Sequence, residues 1–138
     1  MSQWVVDASL ALGWYLKDEQ DRGYTLAVLA GLRENEAVVP FLWAYEVSNG
    51  LVMAYRRNRI TLADLIEILD NLKALPILID PPRKDDVLDL PPLALQHQLT
   101  GYDAAYLELA VRLNAAIATT DVALRRAAAA CGVPLVQP

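Results

Sequence analysis

Short apolar, β-branched runs alternate with longer helix-patterned segments along the whole 138-residue chain. That alternation constrains the fold more than any other feature. Gln3–Asp7 reads as a strand, and Ser9–Lys17 and Asp21–Arg33 as helices. Ala37–Pro40 is a second strand, followed by helices over Leu42–Arg57 and Leu62–Leu75. Thr61 with Asp64 has the spacing of a capping box for the second of these. Pro76–Asp80 is a third strand, stopped by Pro81-Pro82. A helical stretch from Lys84 is expected to break at Pro91-Pro92. Tyr102–Asn114 is a helix, Ala115–Thr120 a strand, Val122–Cys131 a helix, and Val133–Val136 a last strand. Strands alternating with helices predict an α/β fold, a mainly parallel sheet covered by helices on both faces in a three-layer sandwich. The length suits one domain spanning residues 1–138, with a sizeable core.

Four carboxylates occupy places in this pattern where a carboxylate is costly. Asp7 ends the run Trp4-Val5-Val6, and Asp121 follows Ala115–Thr120. Glu46 lies within Phe41–Val47, and Asp103 opens an apolar helix. In parallel sheets, sites form beyond the carboxyl ends of the strands, so Asp7 and Asp121 are expected to converge on one rim. Glu46 falls on the helix stripe Leu42, Glu46, Asn49, Met53, which is expected to face the protein. Like charges gathered in apolar surroundings need a compensating cation. Carboxylate oxygens suit magnesium or manganese, and one His and one Cys leave little for a zinc site.

Each acid also has a plainer explanation. Asp7 or Ser9 can cap the first helix, and Asp121 the last. Asp103 lies three residues after Thr100 and can complete a cap there. Glu46 can pair with an Arg from another element. Glu108 with Arg112 reads as an exposed helical pair, and His97 as a surface or loop residue. Cys131 and the three tryptophans read as core. Arg56-Arg57 with Arg59, Arg83-Lys84 and Arg125-Arg126 are the basic clusters, either solvated or in contact with phosphates.

Composition narrows the classes. A 55% hydrophobic content argues against disorder. No run reaches the length of a membrane span, no signal peptide is evident, and a single Cys makes a cytoplasmic setting the expectation. The net charge of −5 is no footprint of general nucleic-acid binding, although local basic patches remain.

Four segments in order carry a family resemblance: Val5-Val6-Asp7-Ala8-Ser9; Pro40–Asn49; Tyr102–Ala110; and Ala118-Thr119-Thr120-Asp121. The set resembles PIN-domain ribonucleases, above all the VapC-type toxins of toxin–antitoxin pairs. The resemblance implies an endoribonuclease dependent on magnesium or manganese, with Asp7, Glu46, Asp103 and Asp121 as its acidic quartet. It places the hydroxyls of Ser9 and Thr119 near the metal; Asn49 is a further supporting candidate from helix spacing alone, one turn beyond Glu46. It also implies an RNA substrate, a homodimer, and a small antitoxin as partner. Thr120 stands where many relatives carry a charged or polar residue. Three other readings stay open: a phosphoacceptor domain built on Asp80, a binding module without catalysis, and a DNA-directed nuclease of the same fold.

Overall fold

The computed structural model describes residues 2–138. Its centre is a four-stranded sheet with all pairs parallel, in the order β3-β2-β1-β4. The strands are β1 (Gln3–Val6), β2 (Glu36–Pro40), β3 (Ile77–Asp80) and β4 (Ala116–Ala118). The helices are α1 (Ala8–Leu12), α2 (Arg22–Gly31), α3 (Leu42–Arg56), α4 (Leu62–Ala74), α5 (Lys84–Leu88), α6 (Leu90–His97), α7 (Gly101–Leu113) and α8 (Val122–Ala130). Together they form a three-layer α/β/α sandwich.

The two central strands are buried on both faces. Val5, Val6, Ala37, Val38 and Val39 are nearly inaccessible, as a parallel sheet covered by helices requires. Helix α7 packs across β1, β2 and β4 and contributes Tyr106, Leu107, Leu109 and Ala110 to the core. Helix α1 packs against α3. Gly50 permits that approach: a Cβ there would lie 2.3 Å from Leu12 Cδ1. These packings fix the helices that carry the acids.

Several expectations are corrected. The first helix stops at Leu12 rather than Lys17, because the chain turns at Gly13. No strand forms over Val133–Val136. That segment makes a single parallel bridge, Ile117 with Leu135. Pro134 offers a carbonyl to Ile117 at 2.9 Å but has no N–H with which to continue a ladder. The prolines at 91 and 92 do not break a helix. They stand in the first turn of α6, where their missing N–H groups cost nothing, and the break falls at Asp89. The capping box of Thr61 and Asp64 is present in both directions, at 3.1 Å and 2.9 Å.

The stripe on α3 is also rotated from the expected one. Trp43, Val47, Leu51 and Ala54 are the buried positions. The line through Glu46 runs alongside it, which leaves Glu46 half-buried and Asn49 exposed. One residue is 100° of helix, and the bulkier line took the core. No described helix is long and apolar enough to cross a membrane.

Candidate active site

Asp7 is the anchor of the site. Strand β1 delivers it to the carboxyl rim of the sheet, where its amide donates to the Ala118 carbonyl of β4 at 3.1 Å. Its side chain is 5% exposed, and buried carboxylates need donors. Oδ1 accepts from the Leu10 amide at 2.9 Å, capping α1, and from Ser9 Oγ at 2.7 Å. Oδ2 accepts from Thr119 Oγ1. The capping reading and the site reading are thus both satisfied, because a carboxylate has two oxygens and several lone pairs.

Asp121 begins α8 beyond the end of β4. Its Oδ2 caps the helix through the Leu124 amide at 2.8 Å. Its own amide donates to Thr119 Oγ1 at 3.0 Å. Arg125 Nε donates to the Thr119 carbonyl at 2.7 Å, and its guanidinium lies 5.1 Å from the Tyr24 ring centroid. Arg125 therefore braces the rim from behind, and Arg126 binds the His97 carbonyl at 3.1 Å. Neither is simply a solvated charge.

Asp103 sits in the first turn of α7, where the helix dipole favours a negative charge. Thr100 Oγ1 accepts from its amide at 3.1 Å. Burial raises the Asp103 carboxyl above its ordinary range, the charge of Asp121 raises it further, Thr100 opposes the shift, and Asp7 adds to it. Glu46 shows the same signature. Burial raises it first, Tyr106 opposes, and the charges of Asp103 and Asp7 raise it. Each of these two acids feels others of the quartet, so the fold brings Asp7, Glu46, Asp103 and Asp121 into one basin.

Among the described residues, no Lys or Arg forms an ion pair with any of the four. Arg112 instead joins Asp80 at 2.8 Å and Glu108 at 2.7 Å. That pairing gives Asp80 a structural link at the edge of the sheet, which favours a structural role for it over a phosphoacceptor one. Arg59 is likewise committed to Asp18 and Glu19. His97 is half-buried, with Nε2 3.3 Å from Cys131 Sγ, rather than a free surface residue.

The donor set is carboxylate and hydroxyl oxygen throughout, which fits a hard divalent cation. As they stand, no three His, Cys, Asp or Glu side chains among the described residues are gathered closely enough to hold one.

Tyr106 was not foreseen. It is 2% exposed, and its hydroxyl donates to Glu46 Oε1 at 2.6 Å. A tyrosine one turn after an acid in an apolar helix was the available signal, since a buried phenol must find a partner. An apolar groove of about 560 Å³ is lined in part by Phe41 and by Tyr45 and Tyr102, the residues that precede Glu46 and Asp103 in sequence.

A parallel three-layer α/β domain with an acid basin at its carboxyl rim is the class that fold and site define. The chain belongs to the PIN domain family, whose model matches residues 4–130. PIN domains are typically nucleases. Among solved structures it is similar to PAE2754 from Pyrobaculum aerophilum, with 26% identity and a TM-score of 0.60 over 89% of this chain and 77% of that one. It is also similar to VapBC2 from Rickettsia felis, solved with a DNA fragment from their promoter, with 14% identity and a TM-score of 0.64 over 97% of each chain. FitAcB from Neisseria gonorrhoeae matches with 15% identity and a TM-score of 0.63, over 98% of this chain and 97% of that one. No curated protein sequence matches significantly.

Proposed function

We propose that this chain is a single-domain endoribonuclease dependent on magnesium or manganese, and the toxin of a toxin–antitoxin pair. The observation that carries the reading is the basin itself. Four carboxylates share it, two of them feel the charge of the others, and no described cation neutralises any of them. Such an arrangement opposes folding unless it is used.

In this reading Asp7 and Asp103 hold the metal, and Glu46 and Asp121 complete the oxygen set. A bound divalent ion supplies activation of water and charge stabilisation at the phosphoryl oxygens. Asp7 is held rigid by Ser9, Thr119 and the Leu10 amide, so its position is set before substrate arrives. Glu46 Oε1 is occupied by Tyr106, which leaves Oε2 to orient an attacking water and take its proton. Arg83 and Lys84, at the start of α5, are the candidates to hold flanking phosphates.

The likeness to the VapBC2 and FitAcB structures supports a small protein antitoxin as partner. An acidic basin is best filled by a cation, so the antitoxin directs an Arg or Lys at the quartet. The working form is a cytoplasmic homodimer. Brief expression of the chain followed by mapping of cellular RNA ends tests the reading. New ends that require the acid quartet support it, and unchanged RNA refutes it.

A further inference from the structure

Tyr106 stands one turn beyond Asp103 on α7, so the two side chains share a helix face. Its phenol reaches across to α3 and donates to Glu46 Oε1 at 2.6 Å. The main packing partners of α3 are α1, α4 and β2, whereas α7 packs on the sheet, α6 and α8. The phenol–carboxylate bond is therefore a direct tie between the two helices that carry Glu46 and Asp103. Glu46 has three side-chain torsions and is only half-buried, so without an anchor it samples several rotamers. Tyr106 has two torsions and is 2% exposed, so it has no comparable freedom. Among the described residues, Glu46 Oε2 has no hydrogen-bond partner.

We propose that Tyr106 is the positioning residue of the site. Its hydroxyl fixes Glu46 in one rotamer, presents Oε2 to the basin, and sets the separation between Glu46 and Asp103. The inference rests on the nuclease reading of the basin and adds to it a residue that touches neither substrate nor metal. A packing role alone predicts that phenylalanine serves equally well, since it keeps the ring. A positioning role needs the oxygen.

The test is a double-mutant cycle on the full chain with Tyr106→Phe, Glu46→Gln and the pair combined. Three quantities are read: kcat and KM on a single-stranded RNA oligonucleotide, manganese affinity from the free-ion paramagnetic resonance signal, and melting temperature. Tyr106→Phe is expected to lower kcat by about ten- to a hundredfold with KM within roughly twofold, the size of a lost hydrogen bond to a charged group. Manganese should bind several-fold more weakly. In the Glu46→Gln background the same change should alter neither quantity further, because nothing is left to position. Wild-type kcat and manganese affinity in Tyr106→Phe overturn the proposal. So do equal losses in both backgrounds that follow the melting temperature, which mark a packing role. If the wild-type chain binds manganese but cuts no RNA, the nuclease reading falls, and the manganese cycle alone decides the role of Tyr106. If it does neither, both fall.

Discussion

Thr119 donates its hydroxyl to Oδ2 of Asp7 across 112 residues of sequence, and Thr119 Oγ1 in turn accepts from the Asp121 amide at 3.0 Å. One threonine thus joins two of the four acids at the adjoining ends of β1 and β4. Asp7 is in consequence a fully engaged side chain, whereas Asp103 has its amide capped and its carboxylate turned to repulsive neighbours. The two acids should respond differently to neutralisation.

Asp7→Asn and Asp103→Asn should each reduce RNA cleavage by roughly a hundredfold or more, the scale of losing a group that acts on the transition state. Their stabilities should diverge. Asp7→Asn loses charge-assisted bonds from Ser9, Thr119 and Leu10 and should cost about 1–3 kcal/mol. Asp103→Asn removes a repelled charge and should leave the metal-free protein as stable or more so. Urea unfolding of both variants checks this. Equal destabilisation would refute the distinction.

Magnesium or manganese should raise the melting temperature, since a ligand of the folded state alone stabilises it, by about 2.7 kcal/mol at a hundred times Kd. The shift should disappear in the Asp7→Ala, Asp103→Ala double variant. A shift that persists there places the ion elsewhere.

The raised Asp103 and Glu46 carboxyls carry a pH dependence of fixed sign. An acid whose folded value lies above its unfolded value binds more protons when folded. Its ionisation therefore opposes folding. The contribution is absent at low pH and grows as pH rises from the ordinary values of 3.8 and 4.5 through the higher folded ones. In the metal-free protein these two groups should make stability fall over that interval, and Glu46→Gln with Asp103→Asn should flatten the fall. An unchanged slope in the double variant would show that neither group is strained.

Gly31 of α2 lies against the Trp4 ring of β1, and a Cβ there would stand 2.5 Å from a ring carbon. Gly31→Ala should cost about 1–3 kcal/mol through overpacking. Gly23, in the same helix, has nothing within 4 Å of the added atom, and Gly23→Ala should hold or gain stability by up to about 1 kcal/mol. Thermal melts of the two variants compare them directly.

Much of this fold could be read from residue patterns, and the exceptions have physical causes. The runs ending at Val6 and Pro40 and the helix Leu42–Arg56 follow from period, and the helix Gly101–Leu113 from period and the Thr100 cap, which are local properties. Residues 133–136 were misread because their apolar pattern suits a strand while Pro134 cannot donate to one. Residues 90–92 were misread because a proline in a first turn looks the same as one that breaks a helix. The acids could be picked out because ionised groups are rare within apolar runs. Thr119, held to Asp7 from 112 residues away, was reachable only through the family resemblance, and Tyr106, held to Glu46 from 60 residues away, was not reached at all, because no periodicity encodes such contacts. The stripe through Leu42, Glu46, Asn49 and Met53 was expected to face the protein because a line one position off the buried one is still half apolar.

If the four acids form a metal-dependent site for cleaving RNA, the purified chain must show it without other proteins. The most direct measurement is cleavage of a single-stranded RNA and the matching DNA by the purified chain, with magnesium or manganese and with chelator, beside Asp103→Asn. The expected result is cleavage of RNA that requires the metal, stops with chelator, is lost in the variant and does not extend to DNA. Cleavage at wild-type rate by Asp103→Asn, or in the presence of chelator, would contradict it.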